Sequence, residues 1–394
     1  SKVLDFDATL TDVKEGQDIA QLLLASAKHD SIESLFSACD HAECCENPSA
    51  EERELVRVSL KAMLRQLCSD VARDHFVEYE GTKRIMQLLQ TYREDSKSEE
   101  YVHLLLHVAA EATKEQEEAK CSFMSQDLPR VLSALLQRER ASEATIEACC
   151  SCVKNILTAD DSRPTPLALE AQFGGEFMKA LSMDKDGVTS GLMSCFESNL
   201  DKGDTLKVLA NAMRKIALND EICKKFVEEK NCIPMFLSLL RGGKSKDVTQ
   251  SVLMLLKQIS ACDTVKKKLI ESEAIETAIE MFDTHADSTI IIQSLLYILT
   301  NVTLRNPDVA EHFADSGGFE FVLTFITKYM DKPKLMKQVC MLLRNSAVRS
   351  AKVKDLLRKA DMEKHVRAIQ EEHTSICKDV ASAALRDMGI ENYN

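Results

Sequence analysis

The 394-residue sequence predicts an all-helical solenoid of about eight stacked three-helix repeats. Two observations lead to this fold class: an apolar helical pattern that recurs about every 43 residues, and a composition poor in turn residues. Apolar residues make up 45% of the chain and aromatic residues 5%, Trp is absent, and there are only 12 Gly and 7 Pro. Folds rich in β-sheet need more turn residues than this, whereas stacked helices need few.

The repeat is marked by eight segments, and we call the last core residue of each segment its anchor. The anchors are Leu67, Ala112, Ile156, Ile216, Ile259, Val302, Ser346 and Met388. The intervals between them are 45, 44, 60, 43, 43, 44 and 42 residues. Positions 0, −3, −4 and −7 from an anchor share one face of an α-helix, and 31 of these 32 positions are apolar. One such unit cannot bury its apolar face alone, so neighbouring units must stack.

Between anchors the pattern predicts a short helix, a corner that holds Gly or Asn, such as Asn231 or Gly317, and a second amphipathic helix. The 60-residue interval predicts one repeat with an insertion of about 16 residues in the irregular segment 158–203. We expect residues 51–394 to form the solenoid. Residues 1–50 are expected to form a leader with capping helices near 18–27 and 31–38.

Three helices in 42 to 45 residues are typical of armadillo repeats, and the chain resembles the armadillo-repeat superfamily. Residues 205–394 also resemble one particular member of it, through the strings NPDVAEHFADSGG, KQVCMLLRN and DVASAALRDMG. The resemblance implies a right-handed superhelical solenoid of the armadillo type that acts as a non-enzymatic scaffold. It carries over no catalytic residues.

Superfamily members that bind localisation-signal or catenin-type peptides present a Trp five places before the anchor and an Asn one place before it. The resemblance maps the Asn onto Asn155, Asn301 and Asn345, with Gln66 and Gln258 as near equivalents, but no repeat has the Trp. Importin-style recognition of a basic extended peptide is therefore not expected.

Charge and cysteine content narrow the class of protein further. The formal net charge of −13 argues against a dedicated nucleic-acid binder or a protein of anionic membranes. No signal peptide and no apolar run of about 20 residues is apparent, so the 14 cysteines are expected to be free thiols in a reducing compartment. We expect a monomer in the cytoplasm, with the nucleus as an alternative, that binds a protein and uses no cofactor.

A helical wheel places positions −2 and −5 on the side of each third helix opposite the core, which is the concave surface of an armadillo superhelix. The −2 positions hold Arg65, Ala110, Lys154, Arg214, Lys257, Thr300, Arg344 and Arg386. Six basic residues and no acidic one, in an acidic protein, suggest that this surface binds an acidic or phosphorylated partner segment. The candidate binding residues are Arg65, Lys154, Asn155, Arg214, Lys257, Gln258, Tyr297, Asn301, Arg344, Asn345 and Arg386, with the Asn side chains bonding the partner's backbone.

Two other interpretations of this surface stay open. The cations could pair with acidic residues of the next helix or favour the helix C-terminus through its dipole. The chain could then be a structural subunit of a larger complex that uses its convex face or its ends.

One acidic motif near the start of the sequence bears on catalysis. Asp5 and Asp7 have the spacing of the nucleophile and the general acid/base of haloacid-dehalogenase phosphatases. The motif's Gly is Ala8, however, and the uniformly helical chain offers no parallel sheet to hold the remaining groups, so phosphatase chemistry is a remote alternative.

Three groups of cysteine and histidine residues could bind a metal. Cys149 and Cys152 occupy core positions, which favours packing over zinc binding. His103 and His107 stand one helical turn apart on the predicted concave surface, without the Glu of a metalloprotease helix. Cys39, His41, Cys44 and Cys45 offer four ligands within seven residues, and a zinc site there is an open alternative to ordinary thiols.

Overall fold

The structure is a computed structural model that describes residues 32–43, 50–93, 99–138, 141–158, 160–161 and 187–393. Within these ranges all regular structure is helical, in 22 helices, and no residue lies in a strand. The predicted all-α fold class is confirmed. The chain forms two compact units, one up to Cys195 and one from Phe196 onwards, so the boundary falls inside the segment that the sequence marks as irregular.

The helices of the first unit follow the three-helix plan. They are α1 (Ile32–Glu43), α2 (Ala50–Gln66), α3 (Asp70–Glu78), α4 (Gly81–Tyr92), α5 (Glu99–Ala112), α6 (Glu117–Ser125), α7 (Leu128–Leu136), α8 (Glu143–Ile156) and the first part of α9 (Val188–Ser198). The predicted helix near 31–38 corresponds to α1, where the ring of Phe36 lies 5.5 Å from that of Phe76 in α3. The predicted helix near 18–27 and residues 162–186 of the insertion lie outside the described residues.

The second unit contains the end of α9 and four complete repeats after α10. Its helices are α10 (Gly203–Ile216), α11 (Asp220–Glu228), α12 (Cys232–Arg241), α13 (Lys246–Ile259), α14 (Asp263–Glu271), α15 (Ala274–Thr284), α16 (Thr289–Thr303), α17 (Pro307–Asp315), α18 (Gly318–Tyr329), α19 (Pro333–Ala347), α20 (Ala351–Lys359), α21 (Met362–Glu372) and α22 (Thr374–Asp387). In both units the first helix of each complete repeat has nine residues, and the third has 14 or 15.

All eight anchor segments form third helices, namely α2, α5, α8, α10, α13, α16, α19 and α22. Within each unit every third helix packs against the next one along the chain. Of the 32 core positions, 31 are buried and only Leu64 is half-buried. Even the single polar one, Ser346, is buried, because its hydroxyl donates to the carbonyl of Leu342 at 2.9 Å. Burial of one Leu or Ile side chain stabilises a fold by about 1.5–3 kcal/mol, so this face holds the stack together.

A residue in the left-handed backbone region precedes six of the second helices that the structure describes. These residues are Glu80, Asp127, Asn231, Glu273, Gly317 and Asp361. The sequence predicts Gly or Asn at these corners, but four of the six hold Glu or Asp. The left-handed conformation costs a residue other than Gly about 1–2 kcal/mol. The packing of helices on both sides of the tight turn therefore outweighs this cost.

The residue just after the corner approaches the first helix closely. A Cβ atom on Gly318 would lie 2.5 Å from the carbonyl oxygen of Phe313 and 2.4 Å from its ring, and one on Gly81 would meet Phe76 in the same way. No side chain fits at such distances, so these two glycines are needed for space.

We expect Gly318→Ala to lower the free energy of unfolding by about 1–3 kcal/mol, the usual cost of forcing an extra carbon into a packed site. Gly203→Ala is the matched control, because Gly203 is also the first residue of its helix and a Cβ there would lie 3.5 Å from Val248, an ordinary contact. Urea denaturation of both variants measures the difference. Equal stability of the two would contradict the proposed steric role.

Candidate partner-binding face

The candidate site in each unit is the surface formed by positions −2 and −5 of its third helices, which we call the third-helix face. Most of these positions are exposed or half-buried, as the helical wheel predicts, but Ala62, Ala110 and Thr300 are buried. A wheel counts only a residue's own helix, and here neighbouring helices cover the position. Gln338 of α19, for example, donates to the hydroxyl of Thr300 at 2.7 Å.

In the second unit, three residues from successive third helices meet on this face. The ammonium of Lys257 on α13 lies over the ring of Tyr297 on α16, 4.1 Å from its centroid. Partial burial and then the nearby charge of Arg214 on α10 lower the pKa of Lys257. We call Arg214, Lys257 and Tyr297 the cation cluster.

No carboxylate neutralises this cluster within the described part of the chain. Neither Arg214 nor Lys257 forms an ion pair there, and the buried Nε of Arg214 has no hydrogen-bond partner. An unpaired, partly desolvated cation beside a second cation is unfavourable. An anion placed between them would relieve the repulsion and supply the missing acceptor.

The C-terminal end of the basic row is different. Arg344 donates from Nε to the carboxylate of Asp387 at 2.9 Å, and Arg386 contacts the same carboxylate at 3.0 Å. The hydrogen bond that Arg386 donates to Asp387, and then the negative charge of that carboxylate, raise the pKa of Arg386. These two cations are paired inside the protein, so the internal pairing that the sequence left open holds at this end.

The first unit carries two members of the row. Arg65 on α2 and Lys154 on α8 are both exposed, and among the described residues neither has an ion-pair partner. Four of the six basic residues are therefore unpaired in the part of the chain that the structure describes, and the two paired ones lie together at the C-terminal end.

The amide side chains at position −1 bond the preceding repeat. Asn155 donates to the carbonyl of Ala110 at 2.7 Å, and Asn345 donates to the carbonyl of Thr300 at 3.0 Å. Asn301 donates to the hydroxyl of Ser260 at 2.8 Å, and Gln258 donates to the carbonyl of Ala217 at 3.4 Å. One donor of each amide is thus used between repeats, and the hypothesis that they bond a partner's backbone stays a prediction.

Sequence reasoning searched the −5 positions for Trp and so overlooked Met. Met254 and Met341 are half-buried on the third-helix face, on either side of the α16 position that Tyr297 occupies. Unbranched, polarizable Met side chains adapt to the shape of a partner. Their spacing of two repeats was visible in the sequence.

The sequence-predicted metal sites have a mixed outcome. Burial raises the pKa of Cys152 to about 12 and that of Cys149 well above its usual value, so both stay protonated thiols. No disulfide joins the twelve described cysteines, and ten of them are buried. Within the described ranges no group of three or more His, Cys, Asp or Glu side chains could hold a metal ion.

Two predictions fall on residues whose side chains are not described. Cys39 is buried in α1, whereas Cys44, Cys45 and the side chain of His41 lie outside the described residues. Asp5 and Asp7 lie outside them too. The zinc site therefore stays a prediction, and phosphatase chemistry stays a remote alternative.

His103 and His107 meet on the third-helix face of the first unit, with ring centroids 6.2 Å apart in an edge-on arrangement. Partial burial and then the charge of His103 lower the pKa of His107 from its usual 6.5, while Glu147 and Glu111 act in the opposite direction. The folded state therefore disfavours protonated His107. The stability that neutral His107 contributes is fully present above the unfolded-state pKa near 6.5. This stability is lost as the pH falls through the lowered pKa of His107 in the folded state.

We expect His107→Gln to lose less thermal stability than the wild type between pH 7 and pH 5, because Gln cannot take up a proton. The measurement is the change in Tm between the two pH values for each protein. An equal change in both proteins would contradict a lowered His107 pKa.

Comparisons with known proteins place this geometry in a class. Residues 224–320 match a family model described as Armadillo-like. The fold is an armadillo-type solenoid, and the chain is similar to armadillo-repeat proteins, as the sequence predicts. The particular member that the C-terminal strings resemble is armadillo repeat-containing protein 6. The protein of this name from Pongo abelii is 24% identical over 190 residues, which cover 46% of this chain and 36% of the relative. The chain thus spans about a third of the length of that relative.

Solved structures agree on the fold. A structure described as "A conserved phosphorylation switch controls the interaction between cadherin and beta-catenin in vitro and in vivo" matches with a TM-score of 0.69 at 13% identity, over 96% of this chain and 69% of the other. A designed armadillo repeat protein in complex with the peptide (KR)4 matches with a TM-score of 0.55 at 16% identity, over 66% of this chain and 99% of the design. At these identities the matches show the fold alone. It is a fold typical of protein-binding scaffolds.

No helix in the described ranges combines the length and the apolar character that crossing a bilayer requires.

Proposed function

We propose that this protein is a non-enzymatic scaffold whose third-helix face binds an acidic or phosphorylated segment of a partner protein. The cation cluster of Arg214, Lys257 and Tyr297 carries the proposal, because it combines two unpaired cations with an aromatic ring in the described part of the chain. The first unit by itself carries two exposed cations at the same helix position, Arg65 and Lys154.

Each component of the cluster suits an anion. The guanidinium of Arg214 can offer a planar pair of donors to a carboxylate or phosphate, and Lys257 supplies a point charge beside it. Tyr297 holds Lys257 in place through its ring and presents an amphipathic contact surface to a partner. Because Lys257 is already partly desolvated, an arriving anion has less water to displace from it.

The positive charge of the cluster also indicates that a basic peptide is an unsuitable partner. The designed armadillo protein among the structural matches was solved with the basic peptide (KR)4. Here the facing row is basic, so like charges would oppose such a peptide. An acidic partner segment fits the charge and is also steered towards it.

The wider expectations belong to the same proposal: a monomer in the cytoplasm or the nucleus that binds protein rather than nucleic acid and needs no cofactor. The net charge of −13 supports the choice of protein over nucleic acid. The alternative, a structural subunit that uses another surface, is favoured by one observation, the internal pairing of Arg344 and Arg386 with Asp387.

We expect the double variant Arg214→Glu/Lys257→Glu to lose at least tenfold affinity for acidic partners, since it converts attraction into repulsion. Arg344 is a poorer target than Arg214, because its charge is already paired. The measurement is affinity purification with the full chain, followed by titration of an acidic synthetic peptide.

The control is Lys224→Glu/Lys267→Glu, which changes the net charge equally. Both lysines are exposed, occupy equivalent positions of the first helices α11 and α14, and lie in the same unit. The control is expected to bind within about twofold of wild type, because these positions lie off the third-helix face. If both double variants lose the same affinity, the loss results from net charge alone and the proposal is wrong.

A gain of affinity is expected from Asp387→Asn. This change releases Arg344 and Arg386 from their shared carboxylate and places at position −1 the Asn that three other repeats have. Binding of the acidic peptide should strengthen about three- to tenfold, which corresponds to about 0.7–1.4 kcal/mol. Glu280→Gln, an exposed neutralisation on α15, is the charge-matched control. Weaker or unchanged binding in the Asp387 variant would exclude the C-terminal end from the site.

A further inference from the structure

Four of the five third helices of the second unit are followed by an exposed apolar residue that the proposed function does not use. Two places after the anchors of α10, α13, α16 and α19 lie Leu218, Ala261, Leu304 and Val348, and all four are exposed, whereas Ile390 at the same position after α22 is half-buried. The three large ones are 53%, 38% and 43% exposed, respectively. The first unit holds Ser69, Lys114 and Thr158 at the same position. We call Leu218, Ala261, Leu304 and Val348 the apolar edge.

The apolar edge runs beside the basic row. Position +2 follows position −2 by four residues, which is about one helical turn at Val348, the C-cap of α19. Leu304 is the C-cap of α16, and Leu218 and Ala261 lie two residues past the last residues of α10 and α13. The contact is direct at Val348, whose backbone N–H donates to the carbonyl of Arg344 at 3.1 Å. In three of the four repeats a basic residue at −2 therefore precedes an apolar residue at +2.

Further cations flank the edge. Arg349 follows Val348 directly, is exposed, and has no ion-pair partner in the described ranges. Arg305 follows Leu304, is exposed, and lies close enough to Asp263 for its charge to help lower the pKa of that carboxyl. A partner that covers the edge must therefore bring apolar side chains and negative charge together.

The side-chain amides at position −1 favour a helical partner over an extended one. An extended peptide needs outside partners for its backbone N–H and C=O groups, whereas an α-helix satisfies its own. On this face Asn301, Asn345 and Gln258 each already spend an amide donor on the preceding repeat. A helical partner needs none of them.

The distance between successive edge residues also favours a helical partner. Packed helices lie about 8–10 Å apart, so successive repeats present their edge residues at about that interval. An α-helix rises about 1.5 Å per residue, and seven residues span about 10 Å. Apolar side chains at heptad spacing can therefore meet Val348, Leu304 and, two repeats further, Leu218.

Resting on the proposed function, we propose that the partner segment is an acidic amphipathic α-helix, whose apolar side chains at heptad spacing pack on the apolar edge while its carboxylates reach Arg214 and Lys257. Charge complementarity and the register of the two rows select this occupant over a second copy of this acidic chain. About three heptads suffice to cross from Val348 to Leu218.

The test titrates the full chain with three synthetic peptides of three to four heptads and equal charge, rich in Glu, by fluorescence anisotropy. The first has Leu at heptad spacing, the second has the same residues with the Leu positions scrambled, and the third has Pro in its centre, which breaks the helix. We expect the first to bind at least tenfold more tightly than the other two. Equal binding of all three overturns the helix proposal.

The protein variants locate the contact. Leu304→Ser/Val348→Ser is expected to lower affinity for the heptad peptide at least tenfold and to leave the scrambled peptide unchanged. Ile290→Ser/Ile376→Ser is the matched control, since these two residues are 48% and 42% exposed at the opposite ends of third helices in the same unit. Circular dichroism confirms that both pairs fold.

The two proposals fail in different ways. If all three peptides bind equally and Arg214→Glu/Lys257→Glu abolishes binding, the acidic-partner function stands and the helix at the apolar edge is wrong. If none of the three binds, the function itself is wrong. If both Ser pairs weaken binding equally, the edge is not the contact surface.

Discussion

The structure depends on the burial of one face of each third helix against the next repeat. Leu, Ile, Val, Met, Ala and Cys occupy this face, and nearly every position of it is buried. Because each repeat can bury this face only by stacking, the rest of the repeat serves the stack: first helices of nine residues, a left-handed corner, and a second helix in close contact. Gly81 and Gly318, just after two of the corners, are required by that closeness, whereas four of the corners themselves hold Glu or Asp.

The same stacking decides which side chains remain for function. A third helix that buries one side against its neighbours leaves the opposite side to solvent, and that side carries a basic row in an acidic protein. Packing then divides the row. Arg344 and Arg386 share the carboxylate of Asp387, whereas Arg214 and Lys257 have no acidic partner in the described ranges and lie beside Tyr297. A like charge beside a partly buried cation is an unfavourable arrangement that a bound anion would relieve. This is the physical reason to place a partner there rather than at the C-terminal end.

The amide row shows how one residue type can have two explanations. In sequence, Asn at position −1 resembles the Asn of peptide-binding armadillo proteins. In the structure, Asn155 and Asn345 join adjacent third helices through the carbonyls of Ala110 and Thr300. A bond between repeats stabilises the stack whether or not a partner is present. The apolar edge has no such internal role, since Leu218, Leu304 and Val348 remain exposed. Exposed apolar side chains in register with cations are therefore better evidence of a partner than the amides are.

The sequence by itself determined the period, the number of third helices, the apolar face of each helix and the position of the basic row. These follow from local helical geometry, in which positions 0, −3, −4 and −7 must share a side. Only the tertiary structure decided which cations are paired, because Asp387 reaches Arg344 across one full repeat of 43 residues. It also decided that Ala62, Ala110 and Thr300 are buried, and that the amide side chains bond the preceding helix. A helical wheel contains no neighbouring helix, and contacts between repeats depend on how closely two helices pack.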